Sequence, residues 1–341
     1  DGDLTVSAGG MTLNGSGTVG SSGAGSVTIN AGGLAWAGAA SSAVTLSGSG
    51  GLVVTGNYTQ SAGAHGTVTV GSGGVTVSGT LTNYDLLQVT GGNLTVSGAS
   101  ANTNAGTIVT VTFGTQTYTG TMTNSGTITG VGLISFNGGI TSSGTVNLGT
   151  GGAIAAANSD FTGGTLNING STYTQTAGNL TLEILSRAAG STIEFTGVGN
   201  QSLTSNGQSL YNVTINKSSG TFTAIDSTTL IVNLTVTNSG GVTFQSAVTA
   251  PTVTLTNTTG TIDFQGAVTA TSLTTTGQGY NVRFRNGGTI TNAVTFSNTG
   301  SLTIDAGFTF TGGVTKTVGA KSLAGTISTT NAPINLGTAG N

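Results

Sequence analysis

The feature that most constrains this chain is a repeat of about 20 residues in its carboxyl-terminal half. Apolar–polar–apolar triplets recur at this interval, as Val242–Phe244, Ile262–Phe264, Val282–Phe284 and Leu302–Ile304. A unit of that length cannot bury an apolar face alone, so successive units must stack and cover one another. Alternation with a period of two indicates strands, with Val242 and Phe244 on one face and Thr243 on the other.

Stacked strands of this kind predict an all-β fold, namely a single parallel β-solenoid with about 20 residues per coil. Neighbouring coils then lie about 4.8 Å apart and share backbone hydrogen bonds. The inward aromatic positions predict a core stack of Phe244, Phe264 and Phe284. Gly and Asn recur between the strands, where each coil has to bend and positive φ angles are tolerated.

The amino-terminal half repeats less regularly. Glycine pairs at 32–33, 50–51, 73–74 and 91–92 each precede an alternating segment, at unequal spacings of roughly 20 residues. We predict one continuous solenoid over residues 1–341, with looser Gly-rich coils in 1–200 and regular coils in 201–340. Two segments, Ala153–Asp160 and Leu185–Gly190, depart from the pattern and are predicted to be loops.

The composition excludes several classes of protein. Charged residues make up 4% of the chain, hydrophobic residues 35%, and the net charge is -3, whereas disordered chains combine low hydrophobicity with high net charge. No basic segment suits a nucleic acid, and no apolar run reaches the roughly 20 residues of a membrane-spanning helix. There is no Cys, so neither disulfides nor thiolate metal sites are expected. We expect no cofactor and no metal.

Short glycine-bounded segments carry a resemblance to a known family. Gly73–Gly79 (GGVTVSG), Gly92–Gly98 (GNLTVSG) and Asn124–Gly130 (NSGTITG) resemble the repeats of exported bacterial surface proteins of the filamentous-haemagglutinin-like and autotransporter-passenger type. The resemblance implies a right-handed β-helix outside the cell that acts as an adhesin, surface layer or fibre. It carries over no functional residue, because these repeats have no catalytic signature.

One cluster stands out among the few charged residues. Asp263, Arg283, Arg285 and Asp305 occupy outward positions of three consecutive strands. We expect Asp263 to lie opposite Arg283, and Arg285 opposite Asp305, as exposed ion pairs that fix the strand register. The alternative is a polysaccharide lyase, which uses carboxylates to bind a cation and a basic group to abstract a proton.

Threonine forms the most ordered outward pattern, on the second strand of each repeat. Thr is the β-branched polar residue best suited to an exposed strand, but a double Thr-x-Thr ladder also resembles the ice-binding face of some β-solenoids. The candidate binding residues, for ice or glycans, are Thr235, Thr237, Thr254, Thr256, Thr274, Thr276, Thr295, Thr315 and Thr317. Thr214, Asn216 and Ser297 continue the same two rows.

Two further candidates are weak. His65 is the only histidine, and a hydrolase triad would need a carboxylate beside it, for which Asp85 is the one candidate a coil away. The pair Asp1 and Asp3 falls short of the six to eight oxygens that calcium prefers. We therefore expect no catalytic residues and no enzyme activity.

The repeat continues to the end of the sequence, which predicts Ile334 and Leu336 on the core side. No capping segment follows them, and an open strand edge with little charge to repel a copy favours head-to-tail assembly. We expect a secreted, extracellular or cell-surface structural protein, a fibre subunit or adhesin stalk, whose partners are copies of itself and cell-surface glycans. The first residue, Asp1, fits either a chain from which a signal has been removed or a fragment.

Overall fold

The computed structural model describes residues 2–14, 17–37, 42–61, 66–103 and 106–337. All regular elements in these ranges are β-strands, and they pair in parallel into long ladders. The chain is a parallel β-solenoid with coils of about 20 residues, so the predicted fold class is confirmed. The hand of the coil stays a prediction. The chain divides into two compact units, Asp1–Tyr173 and Thr174–Asn341.

The first unit has three ladders, which run along three sides of each coil. The first ladder contains Leu4–Val6, Val27–Ile29, Leu52–Val54, Val75–Val77, Leu94–Val96, Gln116–Tyr118, Ile134–Phe136 and Ala153–Ala155. The second contains Met11–Asn14, Leu34–Ala37, Tyr58–Gln60, Leu81–Asn83, Ser100–Asn102, Met122–Asn124, Ile140–Ser142 and Ser159–Asp160. The third contains Thr18–Ser21, Ala43–Leu46, Thr67–Val70, Leu86–Val89, Thr107–Thr110, Thr127–Gly130, Thr145–Leu148 and Thr165–Ile168.

Alternating burial explains why these short segments are strands. Val75 and Val77 are buried while Thr76 between them is exposed, so each strand contributes apolar side chains to the interior and polar ones to the surface. The preceding Gly74 has a φ of 72°, and a Cβ there would lie 2.5 Å from the carbonyl oxygen of Asn93 in the next coil. Only glycine fits this corner without displacing backbone.

A buried column of amide side chains runs through the first unit. Asn83 Nδ2 donates to Asn102 Oδ1 at 2.8 Å, and Asn102 Nδ2 donates to Asn124 Oδ1 at 2.8 Å. Asn124 Nδ2 then donates to the hydroxyl of Ser142 at 3.0 Å. The same amide groups also donate to corner carbonyls, such as that of Gly106. Each asparagine therefore satisfies polar backbone groups that a tight corner would leave buried without partners.

The two segments predicted to be loops contain strands, so that prediction was wrong. Ala153–Ala155 pairs with Ile134–Phe136, which places the small buried Ala155 beside the large buried Phe136. The large ring of Phe136 supplies the volume that Ala155 lacks. A strand whose inward side chains are small can therefore still pack in the interior. The segment Leu185–Gly190 overlaps the strand Ile184–Arg187.

The second unit has one ladder of short strands and a second ladder in which four strands, of 8 to 11 residues, each extend over two sides of the coil. The short strands are Leu180–Thr181, Gln201–Thr204, Thr221–Ala224, Gly241–Phe244, Thr261–Phe264, Asn281–Phe284, Leu302–Ile304 and Lys321–Leu323. The longer ladder contains Thr192–Phe195, Ser209–Asn216, Thr228–Asn238, Val248–Leu255, Val268–Thr275, Gly288–Ile290, Phe308–Phe310 and Ile327–Ser328. The remaining strands are Ile184–Arg187, Val294–Thr295, Val314–Thr315 and Ile334–Asn335, and the unit boundary falls within Thr172–Gln175.

The register of the second unit follows the sequence repeat. Val242 pairs with Ile262, Ile262 with Val282, and Val282 with Leu302, so the interval between partners is the same each time. In the first unit the corresponding interval varies, and it is longer between Val27 and Leu52 than between Gln116 and Ile134. The first unit accommodates these differences in its corners, because the paired strands stay short.

Aromatic rings form the centre of the second unit. Phe244 stacks on Phe264 with ring centroids 5.0 Å apart, and Phe264 stacks on Phe284 at 5.2 Å. All three side chains are buried. Phe195 and Phe222 extend the column on one side and Phe308 on the other, with tilted or edge contacts. Ring contacts between successive coils favour one relative position of the strands.

Candidate functional site

The charged cluster lies on the outer face of the short-strand ladder in the second unit. Asp263 is the register partner of Arg283, but the ion pairs are diagonal. Arg285 Nε donates to the two carboxylate oxygens of Asp263 at 2.8 and 2.9 Å, and Arg283 Nε donates to Asp305 at 2.7 Å. The expected direct pairing across the strands was therefore wrong. A long arginine side chain reaches the diagonal neighbour on the next strand, about 7–8 Å away between Cα atoms.

Asp263, Arg283 and Arg285 line a surface cleft of about 330 Å³, named here the arginine cleft, whereas Asp305 is connected to it only through its ion pair with Arg283. Its remaining lining is mainly hydroxyl and amide side chains, including Thr243, Thr261, Asn281, Ser301 and Thr303. The cleft has the volume of a small-molecule site, which typically lies between about 300 and 1,000 Å³. Unlike most such sites, it has a polar floor.

The electrostatics of the arginine cleft are balanced. The hydrogen bond to Asp263 raises the pKa of Arg285, so its guanidinium stays charged over the whole accessible pH range. Asp263 is held further by Gln265, whose amide donates to it at 3.2 Å. Both carboxylates therefore accept hydrogen bonds from arginine. Among the described residues, no His, Lys or Tyr lines the cleft, and no group of three His, Cys, Asp or Glu side chains is able to hold a metal.

The predicted threonine ladder is in register along one row. Thr235 pairs with Thr254 and Thr254 with Thr274, and Thr295 pairs with Thr315. Thr274 and Thr295 are exposed, while Thr235 and Thr254 are half-buried.

The second predicted row is less accessible. Thr237, Thr256 and Thr276 are half-buried, and the hydroxyl of Thr276 donates to the carbonyl of Thr256. Thr317 is exposed. The two rows therefore do not form one uniformly exposed array.

A more exposed threonine row lies on the preceding side of the coil, where sequence reasoning did not place one. Thr229, Thr249, Thr269, Thr289 and Thr309 pair with one another in successive coils. The first four are exposed. The signal was present in the sequence as Thr at the period of the repeat, but it lies at the start of each long strand, outside the Thr-x-Thr pattern that defined the predicted rows. A shallow cleft of about 260 Å³ lies along this row.

Two buried lysines were also missed. Lys316 occupies an inward position after the strand Val314–Thr315, and its Nζ donates to Asn298 Oδ1 at 3.0 Å and to the carbonyls of Asn298 and Gly300. Lys217 is equally buried and donates to Gln201. Burial lowers the pKa of both ammonium groups, that of Lys316 to about 8.

The hydrolase and calcium candidates are only partly described. His65 and Asp1 lie outside the described residues. Asp3 accepts a hydrogen bond from the backbone of Ser26 at 2.8 Å, so its carboxylate supports the neighbouring coil.

In the described part of the chain, no helix has the length and apolar character needed to cross a membrane. No protein-family model matches the sequence, and comparisons with curated proteins and with solved structures found no match. The resemblance to filamentous-haemagglutinin-like and autotransporter-passenger proteins therefore rests on the repeats quoted above.

Proposed function

We propose that this protein is a noncatalytic extracellular β-solenoid that forms a surface filament or an adhesin stalk. The observation that carries the proposal is the apolar edge of the last described coil. Leu323 and Ile334 are 42% and 47% exposed, although their register partners Ile304 and Val314 are buried. The expectation that Ile334 is a core residue was therefore wrong for the described residues, none of which covers it.

A second copy of the chain is the occupant that fits this edge. A parallel strand would complete the backbone hydrogen bonds and cover the exposed apolar side chains. The strand Leu4–Val6 has a register partner on one side only among the described strands, Val27–Ile29, and Leu4 is 42% exposed. Head-to-tail contact between unlike edges does not close, so it generates a filament. The low charge density gives little repulsion between copies.

Electron microscopy of negatively stained protein over a range of concentrations tests the proposal. We expect filaments from the parent chain and loss of filaments in the variant L323K/I334K. The matched control T269K/T289K adds the same charge on the exposed threonine row and should still assemble. A parent chain that stays monodisperse at high concentration would contradict the filament. Protease accessibility of the protein on intact cells tests the extracellular location.

A binding module is the second candidate function. It is favoured by the exposed in-register row Thr249, Thr269 and Thr289, rather than by the half-buried row predicted first. A regular row of methyl and hydroxyl groups offers a surface to ice or to glycans. The freezing-point hysteresis of the parent and of T249K/T269K/T289K tests the ice-binding form, which predicts hysteresis only in the parent.

A further inference from the structure

We propose that the arginine cleft binds acidic saccharides by holding a sugar carboxylate between Arg283 and Arg285. This inference rests on the proposed role at a cell surface, since it names the chemistry of the glycans that such a protein would meet. It is a binding site, with no bond made or broken.

Each guanidinium group of the cleft has one face that makes no hydrogen bond to the described residues. Both arginines contact their aspartate through Nε. Among the described residues, neither arginine uses its Nη atoms in a hydrogen bond to protein. The side chains of Arg283 and Arg285 are 38% and 41% exposed. Their free N–H groups are therefore available to a ligand.

The aspartates fix the arginines in place. Asp263 is largely buried and is held by Gln265 as well as by Arg285. An arginine anchored through Nε has lost much of its rotamer freedom before any ligand arrives, so less entropy is lost on binding. Fixed guanidinium groups recognise planar carboxylates through paired hydrogen bonds.

Two aspartates neutralise two arginines, so the cleft has no excess positive charge to attract a densely charged polyanion. Recognition must come from hydrogen-bond geometry, in which paired N–H groups of an arginine match the two oxygens of one carboxylate. A sugar carboxylate held between Arg283 and Arg285 would approach both guanidinium groups from the solvent side of the two ion pairs.

The polar floor suits the rest of a sugar ring. Thr243, Thr261 and Thr303 present hydroxyl groups to the cleft, and Asn281 and Ser301 are linked there by hydrogen bonds of 2.8 and 2.9 Å. Sugar hydroxyls can exchange hydrogen bonds with such groups in the same way as water does. The volume of about 330 Å³ admits a ligand of the size of a sugar residue.

Isothermal titration calorimetry with tetragalacturonate as the probe tests this site on the full chain. We expect the parent to bind it, and its methyl ester and a neutral galactose tetramer to bind at least about tenfold more weakly, a difference of about 1.4 kcal/mol. R283Q/R285Q should lose binding to a similar extent. R283K/R285K keeps the charge but lacks the planar fork, so it should also bind more weakly than the parent. T76K, at an exposed position in the first unit, should bind like the parent.

Amide chemical shifts of the unmodified chain provide a readout that does not depend on a variant folding. Addition of tetragalacturonate should shift signals of Thr243, Thr303 and their neighbours, and leave those of Thr289 unchanged. Equal binding of the methyl ester, undiminished binding by R283Q/R285Q, or shifts elsewhere would overturn the site. Equal or tighter binding of a sulfated tetrasaccharide would overturn the assignment to carboxylates. If the chain forms filaments but does not bind the saccharide, only the binding site is refuted. If the chain binds the saccharide but stays monomeric at every concentration, only the filament is refuted.

Discussion

Phe264 stacks on Phe244 with the ring planes only 6° apart and the centroids at 5.0 Å. The two residues are register partners on adjacent strands, so the ring contact and the backbone ladder specify the same alignment. A slip by one residue would place every inward side chain on the surface. The stack therefore specifies the strand register as well as burying apolar surface.

Replacing Phe264 tests this core directly. F264A should lower the free energy of unfolding by about 3–5 kcal/mol, because it leaves a cavity between two rings. F264D should lower it further, since it buries a charge with no partner. F264L should have the smallest effect of the three, because it keeps most of the volume. Chemical denaturation followed by circular dichroism measures all of them.

The control for this series is T289A, at an exposed position on the outer surface. It should change stability by less than about 0.5 kcal/mol. If F264D unfolds at the same denaturant concentration as T289A, the interior position of Phe264 is wrong.

The asparagine column predicts a different kind of loss. N102A removes the acceptor for Asn83 and the donor to Asn124, Gly106 and Thr127. Each buried group left without a partner costs about 1–3 kcal/mol. We expect a marked fall in the unfolding midpoint and faster amide exchange at Thr103, Gly106 and Thr107. N286A, at an exposed position, should leave both unchanged, and an equal effect of the two variants would refute a structural role for the column.

The ion pairs in the arginine cleft should contribute little to stability. Their side chains are partly exposed, and pairs of this kind contribute about 0.2–1 kcal/mol each. R283Q/R285Q should therefore stay within about 2 kcal/mol of the parent in denaturant unfolding. A loss much greater than this would show that the pairs hold the coils together and do more than fix the strand register.

The period of the repeat determined how much of this structure was predictable. The constant interval that separates Val242 from Ile262, and Ile262 from Val282, identified the coil, and alternation around Phe264 identified the inward face. Both follow from the requirement that a short unit bury an apolar surface. In the first unit the interval is less regular, and it is shorter between Gln116 and Ile134. The sequence therefore predicted that this unit consists of strands, but not which residues form each strand.

The missed features depend on contacts between coils, which the sequence of one coil does not contain. The partner of Arg285 is set by side-chain reach rather than by register, and the strand at Ala155 depends on the size of Phe136. Lys316 replaces an apolar residue at an inward position, where composition predicts a surface side chain. Its amide and carbonyl partners come from the preceding coil.

Lys316 also makes stability depend on pH in a defined direction. Burial lowers the pKa of its ammonium group from 10.5 to about 8, and repulsion from Lys321 acts in the same direction. Between pH 8 and 10 the unfolded chain therefore holds a proton that the folded chain has released. Stability should rise with pH across this window, and below pH 8 the contribution of Lys316 becomes constant. Lys217, whose pKa burial also lowers, adds to the same slope.

The rise of stability with pH ends near pH 10, because the buried tyrosines change stability in the opposite direction. Burial raises the pKa of Tyr58, Tyr118 and Tyr173 above the ordinary value of 10.0. They stay protonated in the folded chain while the unfolded chain loses their protons. Their contribution to stability is present below pH 10 and is lost as the pH rises above it. Measurements for Lys316 therefore belong between pH 8 and 10.

The variant K316M separates the lysine from the other groups. Methionine fills a similar volume without a charge, so K316M should be more stable than the parent at pH 7 to 8, and the difference should shrink as the pH approaches 10. K321M, which removes the neighbouring charge, should keep most of the parent's slope. Denaturant midpoints for the three proteins at four pH values measure this. A parent whose stability is flat from pH 8 to 10, or a K316M with the parent's slope, would show that Lys316 keeps its proton in the folded chain.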